Sequence, residues 1–188
     1  MTQYIYDKLK FANVPVDQRT VFAALEQKIV PRIYREALDT VTKEEEDRET
    51  WDKCRRLRGY TQAQIGIPEE FISDSPLPFI SIISRLKSLV LSTTPTKIMR
   101  AICFAAEDIH RYLTTQSANG GAMGADAFLP IWVFCIIRAN IPNLGTLVNF
   151  LKGYLNPELR YCGTKVTRVT EETDYNLLNL TRVNTDNF

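Results

Sequence analysis

Histidine is nearly missing from this chain. Its 188 residues include one, His110, so no histidine-based triad, histidine-rich zinc site or His-x-x-x-His pair can be assembled within it. Neither GxxxxGK followed by Ser or Thr nor GxGxxG occurs, and Gly120-Gly121 lies in a small-residue loop rather than after a strand, which argues against a nucleotide-binding enzyme. Net charge is also absent: 23 basic residues against 22 acidic leave +1, and with it no general electrostatic reason to hold nucleic acid or an anionic membrane. The longest apolar run, residues 127–137, falls far short of the roughly 20 residues that span a bilayer. The start, MTQYIYDKLKF, has no apolar core of signal-peptide length. The expectation is a cytoplasmic protein without an intrinsic membrane segment, with no nucleic-acid partner, no metal and no cofactor.

Four cysteines, Cys54, Cys103, Cys135 and Cys162, are scattered without CxxC spacing. Two of them sit inside apolar helical runs, where cysteine behaves as a small hydrophobe, which favours a reducing compartment. Asn179-Leu180-Thr181 matches a glycosylation sequon, but the secretory context that it needs is not supplied elsewhere.

What is present is helical periodicity. At 188 residues and 45% hydrophobic, the chain suits one domain with one full core. Val21, Leu25, Ile29 and Ile33 recur every four residues, which predicts a helix over 21–38 that Pro31 kinks. Thr42 and Glu45 read as a capping box, and the acidic-to-basic run behind them as a solvated helix with the polarity that a helix dipole favours. Thr61 with Gln64 reads as a second capped start, stopped by Gly66 and Pro68. Residues 79–91 place Phe79, Ile82, Ile83, Leu86, Leu89 and Val90 at helical spacing.

Thr94 as cap and Pro95 at the first helical position open a helix whose Ile98, Ile102, Ala105, Ile109 and Leu113 make one buried stripe, with His110 packed or at the solvent edge beside it. A polar, glycine-rich connection over 114–124 leads into residues 127–137, apolar almost all round and so a central helix buried by its neighbours. Leu144, Leu147, Val148 and Leu151 predict another helix, stopped near Asn156-Pro157. Residues 160–170 read as a loop or a short extended piece, and a last helix starts near Thr170 with Tyr175, Leu177, Leu178 and Leu180. No internal repeat is found. The fold class that follows is all-α, a layered helical bundle with a central apolar helix. Asp126, just ahead of that helix, is either a cap or a charge held at the rim of an apolar surface, and periodicity leaves both open.

Taken in order, LEQKIVPRIYREAL, TPTKIMRAICFAAEDIHRYL, GADAFLPIWVFCIIRANIPNL, NPEL and EETDYNLLNL resemble the vacuolar protein sorting 9 domain. That domain is the catalytic module of guanine-nucleotide exchange factors for early-endosomal Rab GTPases. The third stretch is the most specific, close to the family's A-D-x-x-x-P signature. The resemblance implies residues 1–20 as an N-terminal extension, 21–183 as the exchange-factor domain and 184–188 as a tail. It also implies endocytic vesicle trafficking and peripheral recruitment to endosomes.

In the family the signature aspartate enters the GTPase active site and pairs with the phosphate-binding lysine, and Asp126 occupies that position. A GTPase holds its nucleotide through backbone amides, that lysine and a magnesium ion. A carboxylate arriving there offers the lysine a substitute anion and opposes phosphate and magnesium, so the nucleotide-free state is favoured and release quickens without any covalent step. The resemblance makes Pro130 and Tyr175 the GTPase-binding contacts of an apolar groove between the signature helix and the last helix. The residue three past the tyrosine, a threonine in the family, is Leu178 here, at the GTPase-binding surface without that hydroxyl's hydrogen bond. The alternative reading is an exchange-inactive helical module that binds a Rab or another trafficking protein.

Overall fold

The structure is a computed structural model that describes residues 7–8, 10, 17–116 and 125–154. Among the described residues all regular structure is helical, as the all-α expectation requires. Helix α1 spans Gln18–Ile29, opened by Asp17, whose carboxylate accepts from the Thr20 N–H at 2.7 Å. The expected kinked helix over 21–38 is instead broken. Val30 still donates to the Glu26 carbonyl, but Pro31 has no N–H to continue, and the chain passes through a 3-10 turn, Val30–Arg32, into a separate α2, Tyr34–Asp39. The break resets the helical phase, and Ile33, expected on the inner face, is 45% exposed.

Helix α3, Glu44–Leu57, corrects two further expectations. Thr42 does not cap it: its hydroxyl donates back to the Leu38 carbonyl, and Lys43 takes the N-cap position with its ammonium on Glu46 at 2.9 Å. Nor is α3 only a solvated helix, because Asp47, Thr50 and Cys54 form a buried stripe at helical spacing. By contrast, Thr61 and Gln64 cap one another reciprocally as expected, and Gly66 closes that turn at φ +90, a conformation that glycine adopts without penalty.

Helix α4, Ile80–Lys87, runs into a 3-10 turn, Ser88–Leu91. Phe79, Ile82, Ile83, Leu86 and Leu89 are buried as the spacing predicts, whereas the tighter 3-10 winding turns Val90 outward to 40% exposure. Helix α5, Pro95–Gln116, opens on Pro95 and buries Ile98, Ile102, Ala105, Ile109 and Leu113, the predicted stripe. Helix α6, Ala125–Ala139, is central and packs on α3, α4 and α5, with Ile131, Trp132, Phe134, Cys135, Ile136 and Ile137 at most 2% exposed. It ends where Asn140 turns left-handed at φ 50. The axis turns by 113° into α7, Leu144–Tyr154, which buries Leu144, Leu147, Val148 and Leu151. No single described helix is long and apolar enough to cross a membrane.

Two buried carboxylates join the outer helices to the inner ones. Glu26 of α1 accepts from the Thr96 N–H at 2.7 Å and from the Thr96 hydroxyl at 2.6 Å, in the first turn of α5. Asp47 of α3 does the same for α7, accepting from the Thr146 N–H at 3.1 Å and from its hydroxyl. Both satisfy orphan N–H groups of a helix start from a distant helix, with a favourable charge at the positive end of the dipole. The stop near Asn156-Pro157, residues 160–170 and the last helix with Tyr175 and Leu178 lie outside the described residues, as do 117–124 of the polar connection.

Candidate functional site

The least buried face of α6 carries the candidate site. Asp126 stands in the first turn and is exposed. Leu129, Pro130 and Val133, three, four and seven residues on, are half-buried, while the residues between them and beyond are buried as far as Ile137. At 100° per residue those four positions share one side of the helix. The arrangement is a carboxylate at the head of a short apolar stripe. The helix start favours that negative charge through the aligned peptide dipoles. Among the described residues the Asp126 side chain makes no hydrogen bond and no ion pair, so its carboxylate is available to a cation from outside.

Pro130 shapes the same turn. It lies inside the helix and has no N–H, so the carbonyl of Asp126, four residues earlier, lacks its helical donor. On the inner side of α6, Phe128 stacks on the half-buried His110 of α5 with ring centroids 4.9 Å apart, and Trp132 stacks on Phe128 at 5.9 Å. Hence His110 is packed against a ring yet only half-buried, between the two places, packed or at the solvent edge, that its position beside the stripe of α5 left open.

The structure thus brings Asp126 and Pro130 together on one face, and Tyr175 and Leu178 lie outside the described residues. Leu129 and Val133 were not singled out by the sequence reading, although their spacing from Asp126 is the signal that would have found them.

The surroundings restrict the chemistry. Burial pushes the Cys54 thiol up to about 11 and raises that of Cys135, and Cys103 is raised by burial and by the neighbouring Glu107 carboxylate. None of the three is a ready thiolate nucleophile at neutral pH. No group of three or more His, Cys, Asp or Glu side chains stands ready for a metal ion among the described residues. What the face offers is binding: an anion for a cationic group, and an apolar strip beside it.

Residues 79–183 match the Vacuolar sorting protein 9 (VPS9) domain, a span that runs from the start of α4 past the end of α7 and includes Asp126 and Pro130. A human protein, VPS9 domain-containing protein 1, is 32% identical over 130 residues, covering 54% of this chain and 20% of that protein. The match therefore spans about a fifth of the length of that relative.

Proposed function

The chain belongs to the VPS9-domain family, whose domain is of the Rab guanine-nucleotide exchange type, and on that premise we propose that it promotes GDP release from an early-endosomal Rab GTPase. Asp126 is the acidic finger that enters the GTPase phosphate site, and the stripe of Leu129, Pro130 and Val133 receives the apolar switch regions. Tyr175 and Leu178 are the further GTPase-binding residues of this reading. The protein acts in the cytoplasm and is recruited peripherally to endosomes.

The observation that carries this reading is the position of Asp126, exposed in the first turn of α6 with no described partner, at the end of an apolar face of an otherwise buried helix. The physical course needs no bond-making. The factor docks on loaded GTPase through apolar contact, and the carboxylate then pairs with the lysine that held the phosphates. Because that pairing is available only once phosphate has left, it stabilises the empty state selectively and lowers the barrier to release.

The experiment that tests it is release of a fluorescent GDP analogue from a panel of Rab GTPases, with this chain and with Asp126→Ala. Faster release from an early-endosomal Rab, abolished by the substitution in a folded protein, is the expected result. A folded chain that accelerates none of the panel overturns it. The second reading, a Rab-binding module without exchange activity, is favoured by Leu178, which lacks a hydroxyl. It is distinguished by tight binding to nucleotide-free GTPase without faster release.

A further inference from the structure

His110 is the only histidine of the chain, and nothing in the exchange course above uses it. Its imidazole lies over Phe128 with planes 26° from parallel, and the Phe128 ring lies over Trp132 at 16°. The ring contacts thus lead from a half-buried imidazole on α5, through Phe128, to an indole 1% exposed in the core. Phe128 is itself buried, two residues past Asp126, and helical geometry puts the two side chains on opposite sides of α6.

The first turn of α6 has reason to need such an anchor. Helix starts are held by fewer backbone bonds than helix interiors, and Pro130 removes one more by having no N–H for the Asp126 carbonyl. Whatever fixes the Phe128 ring therefore fixes the rotation of that turn about the helix axis. That rotation sets where the carboxylate on the far side points.

We propose that His110 is a positioning residue for Asp126. By closing the outer side of Phe128 against Trp132, it aims the carboxylate toward the GTPase phosphate site, while itself touching neither GTPase nor nucleotide. This inference rests on the exchange reading of Asp126. A flat ring is what the clamp requires, since face contact is what holds Phe128 in one orientation.

The test is GDP-analogue release over a range of Rab concentrations for the wild type, Asp126→Ala, His110→Ala and His110→Phe, each checked for fold by circular dichroism and thermal melting. Expected is a His110→Ala protein with an unchanged half-saturating concentration and a maximal rate lower by about tenfold, the scale of a misaimed group. His110→Phe restores the rate to within about twofold, because a flat ring is back over Phe128. A wild-type maximal rate in His110→Ala overturns the proposal, as does a loss confined to half-saturation, or a folded His110→Phe no better than alanine. Should His110→Ala fail to fold, His110→Leu replaces it, with bulk but no flat face: a lower rate than His110→Phe supports the clamp, and parity overturns it. Failure of the exchange reading itself shows separately, as a wild type that accelerates no Rab, and the positioning role then falls with it.

Discussion

Asp47 and Thr146 stand 99 positions apart in the chain, yet the carboxylate of the first takes both the N–H and the hydroxyl of the second. Both groups are buried, so neither can fall back on bulk water if the partner is lost. Asp47→Ala is expected to destabilise the fold by about 2–3 kcal/mol, the cost of two buried donors left open. Urea denaturation measures it. A change under about 0.5 kcal/mol would show that the contact contributes nothing net.

Gly145 is tied to the same contact. A Cβ at this position would lie 3.0 Å from the Asp47 Oδ1, tight enough to push the carboxylate back by a few tenths of an ångström and strain its two buried hydrogen bonds to Thr146. Gly145→Ala is therefore expected to destabilise by about 1 kcal/mol, although alanine has the better helix propensity by a similar amount. In the Asp47→Ala background the same change should turn neutral or stabilising. Additive behaviour of the two substitutions in a double-mutant cycle would contradict this account.

Glu26 has a more local consequence. Within α1 the side chains described as buried are Val21 and Glu26, so the bonds to Thr96 carry much of what holds that helix to the bundle. Glu26→Ala should loosen residues 18–39 selectively. Hydrogen exchange there is expected to rise by about tenfold or more, with the amides of α6 changed little. A uniform rise across all helices would mean instead that α1 and the core open together.

The apolar stripe gives a binding prediction. Leu129→Lys and Val133→Lys put a charge on a face that is already half-open, so the fold should tolerate them. On the exchange reading, each should weaken association with the responsive Rab by about tenfold to a hundredfold, the scale of an interface anchor. Titration calorimetry against nucleotide-free Rab is the measurement. Unchanged affinity in folded variants would remove this face from the contact.

The thiols supply a pH-dependent check. Burial raises the Cys54 thiol to about 11 and raises Cys135 also, so at pH 8 both are neutral and poorly reactive. Iodoacetamide should modify neither in the folded protein over a period that labels both fully in urea. Raising the pH toward 10 increases the small thiolate fraction at Cys54 before global unfolding, and its labelling should rise first. Peptide mapping by mass spectrometry reads each site, and early labelling of Cys135 would contradict the packing of α6.

The legible parts of the fold are the helices whose period runs unbroken. Ile98, Ile102, Ala105, Ile109 and Leu113 keep one phase along α5 and are all buried. Ile33 and Val90 failed because a proline and a 3-10 turn shift the phase, which spacing alone does not announce. Asp47 failed for another reason: within a run of acids it looks solvated, and its partner lies on a different helix. At the site, the place of Asp126 ahead of the apolar run left a cap and a rim charge both open, and it was the resemblance that singled the residue out. The ring contacts of His110, Phe128 and Trp132 needed the pairing of α5 with α6, which no local pattern encodes.

The two long-range carboxylate contacts also set an order of events during translation. Glu26 and Asp47 leave the ribosome 70 and 99 residues ahead of Thr96 and Thr146. At bacterial to eukaryotic elongation rates the interval is about 4 to 20 s. Through that interval α1 and α3 have no helix start to close, and α3 in particular stays hydrated, as its many charges allow. Helix α1 can close once Thr96 has emerged, whereas α3 waits for Thr146, and in a nascent chain stalled between the two α3 should be as protease-sensitive as in an unfolded one.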